Sequence, residues 1–250
     1  MEFYIKGNGY IMNSPTNSDA PADHKPGIIR WIITSFIFLI LVGLSLFLSA
    51  GTISWPGGWA YLILVAVIFI LDAIVLIPIS PDLLGERSRP QAGAKNWDQL
   101  LSRLMATIGP LITWIVSGLD YRFSWSPEFH TWMLVLSGVF VFLGGLLALW
   151  AMASNRFFIG MVRIQEERGH HVIQSGPYRY VRHPGYLGSL FYILFTPLML
   201  ASLWGLIPAL LVCGVIFLRT SLEDQVLKNE LPGYQDYSQK VTRKLIPGIW

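Results

Sequence analysis

Four long apolar runs, at positions 28–50, 59–79, 104–119 and 129–153, decide what this chain can fold into. Each approaches or exceeds the roughly 20 residues that an α-helix needs to cross the hydrocarbon core of a bilayer. In lipid every backbone N–H and C=O must be paired within the protein, which leaves helices and closed barrels. Continuous runs of this length, without a two-residue alternation, are helical. Composition agrees: 53% of the 250 residues are hydrophobic and only 13% charged, about half the charged share of a soluble domain. The expected fold is an all-α polytopic membrane protein.

A fifth apolar region, 187–218, is too long for one ordinary span. Ser202, Trp204 and Gly205 lie at its middle, with Pro197 and Pro208 on either side, so it reads as a helical hairpin that crosses and returns, or nearly does. The chain then divides into a polar disordered tail (1–27), four transmembrane helices (28–153) and a C-terminal catalytic region (154–250) with a loop, the hairpin and a last helix. Of the 18 Lys and Arg, all but Arg122 fall outside the connections 51–58 and 120–128 and the hairpin tip. That asymmetry predicts both termini and the large loops on the cytoplasmic side of a multi-pass inner (cytoplasmic) membrane protein. The net charge of +3 then reports topology, and no nucleic-acid partner is expected.

Between two apolar regions lies a basic, aromatic strip, 175–188, containing Tyr178, Arg179, Tyr180, Arg182, His183 and Tyr186. Its Gly-Pro and His-Pro pairs forbid a regular helix, because each proline lacks an N–H and restricts the residue before it. Such backbone at a membrane boundary must face water or be buried in protein, which suits a polar ligand at the cytoplasmic mouth of a bundle. After the hairpin, Arg219 and Glu223 are four apart and share a helix face. Spacing alone is also consistent with a surface ion pair. Glu86, Arg87 and Arg89 read as solvated or headgroup-binding charges. The single cysteine, Cys213, excludes a disulfide. His170, His171 and His183 could suggest a metal, but no acidic partner sits at ligand spacing near His183, so no metal site is expected. Gly7, Gly9, Gly144 and Gly145 open no phosphate-binding turn. Gly138, Gly144 and Gly145 read instead as sites of close helix packing.

Together these residues resemble the isoprenylcysteine carboxyl methyltransferase family, integral membrane enzymes that use S-adenosylmethionine. The resemblance rests on Ser175-Gly-Pro-Tyr178, Arg182-His-Pro-Gly-Tyr186, Arg219-x-x-x-Glu223 and Gly233-Tyr-x-x-Tyr237, and covers roughly 156–250. The earlier Pro81-x-Leu-Leu-x-Glu-Arg-x-Arg-Pro90 and Lys95-x-Trp97-Asp98 look like a bacterial branch. The resemblance implies that His170, His171, Val172, Ile173, Tyr178, His183, Pro184, Gly185 and Tyr186 line the S-adenosylmethionine pocket. It further implies that Glu223 holds the cofactor's ammonium and that Arg219 faces the methyl acceptor. Gln165 is implied at the cofactor, with Arg163 as a rival. It also implies a lipophilic acceptor reached from the membrane lipids.

The residue types suit that chemistry. Aromatic faces stabilise a sulfonium cation. A carboxylate acceptor is already ionised and needs mainly orientation, which a guanidinium can supply. An amine or thiol acceptor would need deprotonation, with His183 or Glu223 nearest. Two other classes stay open at this point. One is an NADPH-dependent membrane reductase of similar architecture; the other is a transporter or sensor, for which the spans offer only Asp72 at depth.

Overall fold

The structure, a computed structural model, describes residues 24–87, 89, 93, 95–246, 248 and 250. Residues 1–23 of the expected tail and Pro90 lie outside the described residues. All regular structure among the described residues is helical: α1 (Lys25–Ala50), α2 (Pro56–Ile79), α3 (Pro81–Arg87), α4 (Asn96–Arg103), α5 (Gly109–Phe123), α6 (Thr131–Ser154), α7 (Pro184–Met199), α8 (Leu206–Glu230) and α9 (Tyr234–Lys240). Five stretches are long and apolar enough to cross a membrane: α1, α2, the continuous Asn96–Phe123, α6 and α8. Prolines sit in the first turn of α1, α2 and α7, where the missing N–H has no intrahelical partner to lose.

The apolar periphery fits lipid contact. Phe36, Ile37 and Leu48 of α1, Ile63 and Ile74 of α2 and Leu211 of α8 are all exposed, a girdle that water would disfavour. Between helices, glycines permit contact that van der Waals packing in lipid requires. A Cβ at Gly144 of α6 would lie 2.6 Å from the Gly188 carbonyl oxygen of α7, and one at Gly109 of α5 would lie 2.1 Å from the Val212 side chain of α8. Gly138, by contrast, has only ordinary contact with Met199 at 3.5 Å.

The third span begins earlier than the apolar run at 104–119. Asn96–Arg103 is helical despite its polar residues, because Asp98 and Ser102 are buried against the loop and hairpin rather than solvated. It joins α5 through a π-helical turn, Leu104–Ile108, a feature frequent at functional sites. The hairpin is unequal. Its first arm, α7, has 16 residues, and its second, α8, has 25 and runs on to Glu230.

One end of the bundle is closed by a single carboxylate. Asp120, 2% exposed, accepts from Ser202 Oγ (2.5 Å), Ser126 Oγ (2.6 Å) and the Ser126 N–H (2.8 Å). The connection 51–55 joins the same end, where the Tyr121 hydroxyl donates to the Ser54 carbonyl (3.2 Å). The opposite end carries α3, the long loop 155–183 and the C-terminal tail, and there the candidate site lies.

Candidate active site

The site is built on the loop between α6 and α7. Gly176 has φ +57 and its Cβ would meet Ser154 Oγ at 2.3 Å, so both conformation and space call for glycine. The following 3-10 turn, Gly176–Arg179, places Tyr178, and Pro184 opens α7 directly after His183. Gly185 brings the Phe158 ring onto the start of α7; a Cβ there would lie 2.4 Å from the ring.

These elements enclose a cavity of about 380 Å³. Its loop end is polar and aromatic. His170, His171, Val172 and Ile173 form one side in non-helical backbone, while Tyr178, His183, Gly185 and Tyr186 form another. Arg219 and Glu223 project from α8, and Tyr234 and Tyr237 from α9. The cavity then continues between α1, α5, α6 and α7 over Phe38, Pro110, Trp114, Gly145 and Ala148. Pro184 is buried beside the wall rather than on it.

Gln165 is not on the wall either. Its amide donates to the Phe157 carbonyl (2.8 Å) and its oxygen accepts from Arg168, so it ties the loop together from behind, fully buried. Arg168 also pairs with Asp82 of α3 at 2.6 Å. Burial opposes ionisation of Asp82, but that hydrogen bond and charge hold its carboxyl below the ordinary range. Arg163 is the residue that reaches the cavity, bonded to Glu167 at 2.7 Å.

Arg219 and Glu223 form no pair with each other. The Arg219 guanidinium, 3% exposed, grips Asp98 through Nε (2.6 Å) and Nη2 (3.1 Å), and Nη2 also donates to the Gly160 carbonyl (2.7 Å). Asp98 in turn accepts the Val162 N–H at 2.6 Å. The two-pronged face expected to meet an acceptor is thus occupied by Asp98, and Nη1 has only Met105 Sδ at 3.9 Å. Glu223 accepts the Tyr186 hydroxyl at 2.5 Å and stays partly accessible.

A second clamp holds the C-terminal tail. Arg182 grips Asp224 through Nε (2.7 Å) and Nη2 (3.1 Å), and its Nη1 donates to the carbonyls of Val241 (2.7 Å) and Thr242 (2.9 Å). Tyr234 donates to the same aspartate (3.0 Å), and His183 Nε2 lies 3.4 Å from it. Arg87 is also on the wall, where it donates to the Phe158 carbonyl (3.2 Å) and lies over that ring at 5.4 Å.

Several groups are held neutral. Burial pushes the Tyr178, Tyr234 and Tyr237 phenols above their ordinary value. The His170 imidazole is pushed down to about 4 by burial, helped by the nearby charges of His171, Arg168 and Arg163. Its geometry agrees: the Gln165 N–H donates to His170 Nδ1 (3.3 Å), which requires a lone pair there, and the ring packs against Phe157 at 4.6 Å, tilted by 33°.

Asp98 and Asp224, which organise both clamps, were not singled out as site residues from sequence. The available signal was an isolated acid adjoining an apolar helix, whose burial demands a cationic partner.

Residues 115–232 match the phospholipid methyltransferase family profile. Over 221 residues the chain is 27% identical to the protein-S-isoprenylcysteine O-methyltransferase of Rattus norvegicus, covering 85% of this chain and 72% of that one. It is 32% identical over 92 residues to a probable protein-S-isoprenylcysteine O-methyltransferase of Oryza sativa subsp. indica, 36% of this chain and 48% of that protein. The chain is similar to isoprenylcysteine carboxyl methyltransferases and to phospholipid methyltransferases. Its match spans about half the length of the rice relative.

The chain's own residues fit the methyl donor of such enzymes. Glu223 is the acid on the cavity wall, where Tyr178, Tyr186 and Tyr234 also lie; a carboxylate suits an ammonium and aromatic rings suit a sulfonium. The non-helical backbone at 171–173 offers peptide groups to an adenine edge.

Proposed function

We propose that this protein transfers a methyl group from S-adenosylmethionine to a lipophilic acceptor, most simply to a carboxylate at its head (O-methylation). The observation that carries this reading is one continuous cavity, polar and aromatic at the loop end and apolar among the helices. S-adenosylmethionine supplies an activated methyl on a cationic sulfur. Glu223 meets the cofactor's ammonium, and Tyr178, Tyr186 and Tyr234 cover the cationic centre and exclude water. The acceptor's carboxylate lies toward Nη1 of Arg219, with Arg87 as a second donor from α3. Asp98 keeps the Arg219 fork fixed, so orientation is provided before the acceptor arrives.

A carboxylate acceptor is favoured over an amine or thiol because it is already ionised and asks mainly for orientation, which the guanidiniums of Arg219 and Arg87 on the wall can supply. The apolar half favours a tail that enters from the lipid, at roughly 0.8 kcal/mol per buried CH₂. The loop end, both termini and the cofactor entrance then belong to the cytoplasmic side of the inner membrane, as the Lys and Arg distribution supports.

S-adenosylhomocysteine should stabilise the purified protein, by about 2.7 kcal/mol at a hundred times its Kd, and Glu223→Gln should remove most of that shift. No stabilisation of the unmodified protein at millimolar ligand would count decisively against the assignment.

A further inference from the structure

The apolar arm of the cavity stops at one level on every helix that forms it. Phe38 on α1, Trp114 on α5, Gly144 on α6 and Ile193 on α7, next to Tyr192, are the wall residues nearest the Asp120 end. One turn further on, the bundle is closed: Val42, Ser117 and Val141 are 0% exposed and Thr196 is 3% exposed. The stop is also rigid. Tyr61 of α2, itself fully buried, lies behind it and receives a hydrogen bond from Trp114 Nε1 (3.0 Å), with the Tyr192 hydroxyl at 2.9 Å and Thr196 Oγ1 at 3.4 Å. Phe38 packs edge-on against the Trp114 indole at 5.6 Å. Hydroxyls and an indole N–H that bond one another in an apolar region resist displacement, because any one pulled away leaves the others unsatisfied.

We infer that Trp114, held by Tyr61 and flanked by Phe38 and Tyr192, is a length stop for the acceptor's apolar tail. This rests on the lipophilic-acceptor reading proposed above. The arm runs about 9 Å along α7, from Tyr186 to Tyr192, and about 14 Å along the third span, from Met105 in the π-turn to Trp114 in α5. An extended hydrocarbon advances about 1.25 Å per carbon, so the arm takes roughly 7–11 carbons. Within that limit each added methylene transfers from water to the arm. Beyond it the tail must bend back or expel the head from the loop end.

The test is a series of N-acetyl-S-alkyl-cysteines with tails of graded length, measured as kcat/KM for methyl transfer and as thermal shift of the detergent-purified protein. In the unmodified protein both readouts should strengthen by about fourfold in affinity per carbon and then turn over at one length. Trp114→Ala should move the turnover to tails about three carbons longer while leaving the S-adenosylhomocysteine shift unchanged. Phe38→Ala opens the same stop without touching the Tyr61 hydrogen bonds, and tests it should Trp114→Ala fail to fold. A turnover at the same length in every folded variant overturns the inference and leaves the acceptor reading intact. A flat response to tail length in the unmodified protein overturns the acceptor reading, and the inference with it.

Discussion

Replacing Asp98 by alanine should be among the most damaging single substitutions in this protein. Asp98 is fully buried, and its two oxygens serve three donors: Arg219 Nε at 2.6 Å, Arg219 Nη2 at 3.1 Å and the Val162 N–H at 2.6 Å. Its removal leaves a buried guanidinium without a counter-charge, which costs about 3–5 kcal/mol. It also leaves the Val162 N–H unpaired, for about 1–3 kcal/mol more. Asp98 Oδ2 serves both, so the two costs overlap and the total is about 4–6 kcal/mol, a large part of a typical 5–15 kcal/mol stability. At about 2–4 °C per kcal/mol for a chain of this size, Tm should fall by about 10–20 °C. Thermal unfolding in detergent, without ligand, measures it. The double variant Asp98→Leu with Arg219→Met removes both charges together and should recover at least half the loss, while methyl transfer stays absent. If Asp98→Ala costs under about 1 kcal/mol, or the double variant is as unstable as the single, the buried clamp does not hold Arg219 in the way described.

Arg182→Gln should release the C-terminal tail, because Nη1 of Arg182 holds the Val241 and Thr242 carbonyls. Limited proteolysis should then cut within 241–246 at low protease, where the unmodified protein resists. His170 sets an acid limit. Its folded pKa of about 4 lies below the ordinary 6.5, so the unfolded chain takes up a proton that the folded one refuses. Stability should therefore fall as pH drops from about 6.5 to about 4 and be unaffected by this group above 6.5. His170→Asn should flatten the pH dependence of Tm across that window, and an unchanged slope would count against a neutral His170.

Much of this protein follows from the order of its residues. Apolar runs longer than a bilayer is thick leave the backbone no solution but helices, so the spans at 28–50, 59–79 and 129–153 needed no tertiary information. Glycine and proline at 176–177 and 184–185 act on their own backbone, which is why the break between α6 and α7 was equally legible. The π-turn at Leu104–Ile108 had a partial signal in Gly109-Pro110, because a proline without an N–H interrupts the helical ladder one turn before it, but only packing decides that the break becomes a π-turn rather than a kink.

The charges divide in the same way. That Arg219 and Glu223 share a helix face is a property of the 3.6-residue repeat. That they form no direct ion pair, and that Arg219 takes Asp98 from 121 positions away and Arg182 takes Asp224 from 42 away, is decided only when helices pack. Once packing removes water from both groups, each buried cation requires the nearest buried anion, and that distance is measured across the bundle rather than along the chain.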